Sequence, residues 1–178
     1  PATYFDKIQA VLRKHDVLMV ADEVICGFGR TGKMWGSETF GIQPDILTCA
    51  KALSSGYIPI SALMVSEEFF QPIAAQSAEI GVLGHGYTYS GHPVAAAVAV
   101  ETLKIYEEMD LLARVGIASR ALQDGIRRFA DHPLVGEVTG IGMLAVAELV
   151  ADKDTKEPFD PGRKVGPYLL ERSLEHGL

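Results

Sequence analysis

Two charged side chains stand where apolar runs end. Val17-Leu18-Met19-Val20-Ala21 gives way to Asp22, and Ile46-Leu47-Thr48-Cys49-Ala50 gives way to Lys51. A carboxylate and an ammonium of this kind can simply meet as a structural ion pair, a common and individually weak interaction. They can also act together, because a primary amine condenses with a carbonyl carbon and a carboxylate can hold positive charge on a ring nitrogen. A third group joins them if an anion is involved. In Gly84-His85-Gly86-Tyr87-Thr88-Tyr89-Ser90-Gly91 the Thr88 hydroxyl lies in a glycine-rich loop that leads into a helix. That setting suits a phosphate, although a turn hydroxyl needs no ligand to explain it.

Positioning these groups falls to the elements around them. Residues 17–21 and 46–50 are apolar runs of strand length without alternation, the pattern of strands covered on both faces in a parallel sheet, and residues 60–65 make a third. Tyr4, Ile8, Val11 and Leu12 recur at helical spacing ahead of the polar Arg13-Lys14-His15-Asp16. A helix that feeds a buried strand predicts an α/β layer architecture. Ligands of open α/β sheets gather outside the carboxyl ends of the strands. If the first two strands are neighbours, Asp22 and Lys51 therefore face one crevice.

From His92 the texture changes to long helices. Val94, Val98, Ile105 and Met109 fall on one face, and after an expected N-cap at Asp110 a second stripe runs through Leu112, Val115, Leu122, Ile126 and Phe129. His132-Pro133 stops that helix. Residues 138–150, with Gly140 and Gly142, predict a strand pair or a bent strand, and residues 152–162, with Pro158 and Pro161, a loop. A last helix is expected over residues 163–175, closing on Gly177.

Composition narrows the function classes. The 178 residues are 48% hydrophobic and 22% charged, ordinary for a soluble protein, and can bury about 70% of their unfolded surface. A net charge of −7 without a basic run gives no electrostatic footprint for nucleic acid or an anionic membrane. No stretch approaches 18 apolar residues, and the first residues read as no signal segment, so a cytoplasmic protein is expected. Cys26 and Cys49 make no disulfide framework, and neither they nor the five histidines show metal-ligand spacing; both cysteines are expected to be small core residues.

Gly27-Phe28-Gly29-Arg30-Thr31-Gly32 matches the Gly-x-Gly-x-x-Gly dinucleotide pattern literally. That pattern needs a helix directly after it and an acidic residue ending the next strand. Here Gly36, Gly41 and Pro44 break the following segment, Asp22 and Glu23 would repel a pyrophosphate, and Asp45 precedes its strand. The nicotinamide reading is set aside.

Pyridoxal phosphate chemistry requires what the three singled-out groups offer: an amine (Lys51), a carboxylate for the ring nitrogen (Asp22) and a phosphate donor (Thr88). Around them, "DEVICGFGRTGKMWG", "PDILTCAKALSSGYIPISALMV" and "GHGYTYSGHPVAAA" follow in order, and together they resemble the class III aminotransferases, the omega-type pyridoxal-phosphate enzymes of fold type I. The likeness covers nearly the whole chain. It implies an α/β fold comprising part of the large domain, a mainly parallel sheet with helices, over residues 1–106, and an incomplete α+β C-terminal domain over 107–178. It implies that Lys51 carries the cofactor as a Schiff base and serves as general base, for which burial must lower its pKa. Asp22 would meet the pyridine nitrogen and Val24 one ring face.

The resemblance further implies a homodimer in which Thr88 binds the cofactor phosphate of the neighbouring subunit. Tyr87 stands where the family usually has Phe, which leaves a backbone role for it. The "GFGRTG" glycines would shape a loop beside the site. An amino donor and a keto acid such as pyruvate are the implied small-molecule partners. The family's main phosphate cup and stacking aromatic are expected before Pro1, and its carboxylate-binding arginine after Leu178. The chain thus reads as an internal fragment, inactive by itself. A related decarboxylase or aminomutase, or a non-catalytic α/β module in which Asp22 and Lys51 merely pair, are the alternatives.

Overall fold

The structure, a computed structural model, describes residues 2–178. Its first compact unit ends at Ala118 and its second runs Ser119–Leu178.

In the first unit, helix α1 (Tyr4–Lys14) leads into strand β1 (Val20–Asp22). The expected strand over 17–21 is shifted toward its carboxyl end. Met19 still bonds across to the next segment, its carbonyl accepting from Asp45 and Ile46 and its N–H donating to Asp45 Oδ2 at 2.7 Å. A short helix, α2 (Gly36–Phe40), precedes β2 (Ile46–Cys49), and a 3-10 turn, Lys51–Ser54, follows it. Strand β3 (Ala62–Val65) completes a sheet of order β1-β2-β3.

β1 and β2 run parallel, with Val20 opposite Ile46 and Asp22 opposite Thr48. β3 pairs antiparallel to β2, with Cys49 opposite Ala62, where its apolar run alone read as one more covered parallel strand. The reason is topological. A parallel partner needs a crossover that returns the chain to the other end of the sheet, and the only regular element between β2 and β3 is the 3-10 turn. The expected cover on both faces is also incomplete within this chain: Val17, Leu18, Val20 and Leu63 are all exposed.

Helix α3 (Glu67–Ile80) buries none of its residues and holds Pro72 in its interior; Gly81, at φ +78°, ends it in the left-handed conformation. Helix α4 (Pro93–Glu108) starts with proline in its first turn, where the missing N–H costs nothing. The expected stripe on it is displaced, since the buried positions are Ala95, Ala99 and Thr102 and Val94 is exposed. The core of this unit joins Phe28, Cys49, Leu53 and Ala99, with Trp35, Leu47 and Tyr106 packed against them. Helix α5 (Leu111–Arg127) begins here, and Leu112 and Val115 lie against Gly29. Cys49 is a core residue as expected, whereas Cys26 is only half-buried.

The second unit is built on an antiparallel pair, β4 (Val135–Ile141) and β5 (Leu144–Leu149), one of the two forms predicted for this stretch. Gly142 turns the hairpin at φ +58°. A side chain at Gly140 would run into the Leu144 carbonyl and Gln123. Gln123 in turn donates to the carbonyls of Gly142 and Leu144 at 3.0 and 2.8 Å, fastening the end of α5 to the hairpin. Helix α6 (Val165–Glu175) follows a 3-10 turn, Pro161–Arg163, so the last helix starts two residues later than its sequence suggests.

Candidate active site

The parallel register fixes the relation between the two charged residues. Asp22 is the last residue of β1 and sits across from Thr48, so both strands end at the same side of the sheet. Lys51 follows β2 by two residues and opens the 3-10 turn at that side. The sequence expectation of a shared carboxyl end is met. Among the described residues no ion pair joins Asp22 to Lys51.

Asp22 is held by one oxygen. Its Oδ1 accepts the Val24 amide at 3.1 Å and the Thr48 hydroxyl at 3.5 Å, while its other oxygen carries no protein hydrogen bond. Half-buried Val24 thus touches Asp22 through its N–H. Lys51 has φ +48°, a backbone conformation that side chains other than glycine rarely adopt and that is retained where the surroundings enforce it. Lys51 is exposed and makes no ion pair among the described residues.

Glu23, next to Asp22, was legible in the sequence only as an unwelcome charge beside a phosphate. In the structure it is 3% exposed and accepts the Gly36 and Ser37 amides at 2.8 and 2.6 Å. Both are orphan donors of the first turn of α2. Its own N–H donates to the Thr48 carbonyl at 2.9 Å, extending the β1–β2 ladder by one step. Gly36 is required here because a Cβ would sit 2.8 Å from that of Cys26 and 3.0 Å from the Glu23 carboxylate. The Cys26 thiol is pushed above its ordinary pKa by burial and then by Glu23 and Asp22, and Cys49 is likewise raised, chiefly by burial. Both stay protonated near neutral pH.

Removing the cap leaves two buried amides unpaired. Glu23→Ala is expected to cost about 2–4 kcal/mol of stability, with Glu23→Gln, which keeps one acceptor, losing about half as much. Urea denaturation of the three proteins measures this. Equal losses for both variants would show that the hydrogen bonds are not the source.

The "GFGRTG" segment forms turns and no helix. Phe28, Gly29 and Gly32 have φ of +59°, +92° and +100°, and α2 spans only Gly36–Phe40, in keeping with the rejected dinucleotide reading. Gly27 packs under Trp35, where a Cβ would come within 2.8 Å of the ring.

Tyr87 and Thr88 lie in an exposed loop between α3 and α4. The Tyr87 amide donates to Ser90 Oγ at 3.1 Å and its carbonyl accepts the Ser90 amide at 2.9 Å, a closed turn that presents Thr88 at its tip. Among the described residues none hydrogen-bonds the Thr88 hydroxyl. Tyr87 lines a cavity of about 930 Å³ together with residues 58–61, 89–92 and 95–96. Asp22, Val24, Lys51 and Thr88 do not line it. The structure thus unites Asp22, Val24 and Lys51 at the sheet end and sets Tyr87 and Thr88 apart on the loop.

A primary amine and a carboxylate with one anchored oxygen at the sheet end, and a threonine hydroxyl on a separate loop, are groups of the kinds that pyridoxal phosphate takes. Comparison with known proteins decides the family. The family model for "Aminotransferase class-III" matches residues 1–178.

The chain belongs to the class III aminotransferases.

These are pyridoxal-phosphate-dependent enzymes of fold type I. All 178 residues align at 52% identity with 39% of gamma aminobutyrate transaminase 2 from Solanum lycopersicum. They align at 49% with 39% of vanillin aminotransferase from Capsicum frutescens. In three dimensions the chain is similar to the omega transaminase from Pseudomonas jessenii, whose crystal structure is a complex with PMP, with TM-score 0.95 and 53% identity over 99% of this chain and 39% of that one. The chain spans 34–39% of the length of the curated relatives it matches. Among its described residues no helix is long and apolar enough to cross a membrane, and no cluster of three metal-binding side chains occurs.

Proposed function

We propose that these residues are part of a pyridoxal-phosphate-dependent aminotransferase that moves an amino group from an amine or amino acid to a keto acid such as pyruvate. The observation that carries the reading is the placement of Asp22 and Lys51 at one sheet end with no ion pair between them. Lys51 would attach the cofactor through its Nζ, Asp22 would hold the ring nitrogen in its protonated form, and Val24 would bear on a ring face. Bound there, pyridoxal phosphate supplies an electron sink for the carbon that exchanges its amino group. The chain's own part would be to orient and to move a proton: Nζ of Lys51, freed when the donor's amine takes its place, would take a proton from the donor carbon and hand it to the cofactor carbon that receives the amino group.

Several finer assignments belong to the same proposal. Thr88, on an exposed loop, would serve the cofactor phosphate of a second subunit, with Tyr87 contributing through its backbone; the protein would be a homodimer. The large domain would end near residue 106 and a C-terminal domain begin at 107. The 178 residues would be an internal portion of a longer enzyme and inactive alone, a reading supported by the exposure of Val17, Leu18 and the strand residue Val20. A cytoplasmic location is proposed on the two unbridged thiols; relatives include a chloroplastic form, and cell fractionation distinguishes them.

The test compares the full-length protein with the isolated 178-residue chain. The full-length protein is expected to bind pyridoxal phosphate with a new visible absorption band, consume amines in the presence of pyruvate without releasing carbon dioxide, and sediment as a dimer. The isolated chain is expected to self-associate through its uncovered apolar faces and to show no transamination. Carbon dioxide release would move the reading to a decarboxylase. No visible band in the full-length protein would leave a non-catalytic module.

A further inference from the structure

We propose that Tyr106 is a positioning residue for Lys51. The inference rests on the reading of Lys51 as the point of cofactor attachment.

Lys51 is held at φ +48° and Ser55, which closes the same 3-10 turn, at φ +51°. Two left-handed non-glycine residues within five positions do not persist unless the surrounding structure enforces them. The amides of Leu53, Ser55 and Gly56 donate to the carbonyls of Ala50, Ala52 and Lys51 at 3.0, 3.1 and 3.3 Å. From outside the turn, one side chain reaches its backbone: the Tyr106 hydroxyl donates to the Ala52 carbonyl at 2.7 Å, across 54 residues of sequence. The Ala52 carbonyl belongs to the peptide joining Ala52 to Leu53, so this bond fixes the turn one residue beyond the lysine.

Tyr106 is itself well placed to hold. It is half-buried on α4, packs against the core of Phe28, Cys49, Leu53 and Ala99, and its ring lies 6.3 Å from that of Phe28. Leu53, inside the turn, is anchored in the same core. The phenol therefore joins two rigid elements, the helix and the sheet end, one residue beyond the lysine. Without its hydroxyl the Ala52 carbonyl keeps only the Ser55 amide, and the turn can relax toward ordinary φ values, carrying Lys51 away from the end of β1.

Tyr106→Phe in the full-length apoprotein tests this, because it removes one O–H and keeps the ring in the core. Two readouts are needed. Amide exchange at Ser55 reports the turn. Borohydride trapping after brief exposure to limiting pyridoxal phosphate reports the pyridoxyl label on Lys51 relative to Lys7. The expected result is about tenfold faster exchange and about tenfold slower Lys51 labelling, the size of one lost hydrogen bond. Ala99→Gly, which loosens the same helix and leaves the donor in place, is expected to lower overall stability and to leave the relative labelling unchanged.

Unchanged exchange in Tyr106→Phe would show that the hydroxyl does not hold the turn. Faster exchange with unchanged labelling would reduce Tyr106 to a fold residue and overturn the positioning role, as would an equal labelling defect in Ala99→Gly. If Lys51 is not preferred over Lys7 in the unaltered protein, it is the proposed attachment point that fails, and the exchange readout still judges the clamp on its own.

Discussion

In the full-length protein, Lys51→Ala is expected to abolish the borohydride-fixed pyridoxyl label and to reduce transamination by at least about 10²–10⁴, the range for loss of a general base alone. The structure gives the reason for a loss of this size. Lys51 is the first residue of the turn at the carboxyl end of β2, and no side chain of the described residues competes for its ammonium. Alanine supplies neither the amine for covalent attachment nor a base for the donor carbon. Its smaller side chain is also no better suited to φ +48° than lysine, so no gain in stability offsets the defect. Addition of methylamine, a small primary amine, is expected to restore a measurable part of the activity without restoring the label. Label that persists on another lysine in the variant would refute the assignment.

Asp22→Ala is expected to keep cofactor attached through Lys51 while slowing the chemical step about 10²–10³-fold, in line with the loss of one preorganised electrostatic partner. Asp22 bonds the Val24 amide and the Thr48 hydroxyl through Oδ1 alone, which leaves the second oxygen for a charged ring. Asp22→Asn retains both of those bonds and removes the negative charge. The pair of variants therefore separates two roles. If the charge matters, Asn and Ala are slow alike and a donor deuterated at the reacting carbon shows its full isotope effect in both. If Asp22 serves only to cap its own turn, Asn is expected to behave like the unaltered protein, and that result would end the assignment. Thermal denaturation adds an independent check, because the exposed Asp22 contributes little to stability and Asp22→Ala should unfold within a few degrees of the parent.

The chemistry of this chain was legible in its sequence wherever it depends on residue type at a strand end. Asp22 and Lys51 stand out because an apolar run that stops on a charge marks the edge of a sheet, and sheet edges of that kind gather ligands. Helices α4 and α5 and the β4–β5 hairpin were legible as elements from local pattern and glycine placement, but not by their buried faces: the stripe expected on α4 is displaced, and the one expected on α5 is not buried. Helix α3 was not foreseen. It buries nothing and contains Pro72, so no apolar stripe announces it and the proline argues against it.

What only tertiary structure decided is how the pieces meet. The direction of β3 follows from the lack of a crossover element, which no residue pattern in residues 60–65 encodes. Glu23 looks like its neighbour Asp22 in the sequence, yet one carboxylate is buried as the cap of α2 and the other stays exposed, because alternation along β1 and the position of Gly36 place them on different sides. Tyr106 carries no local signal at all, since its partner Ala52 lies 54 residues away and offers only a backbone carbonyl. Residue chemistry by itself named the amine and the carboxylate. The fold decided that they share a sheet end, that they do not neutralise one another, and which groups hold them there, because those outcomes depend on contacts between segments that the chain brings together only when it packs.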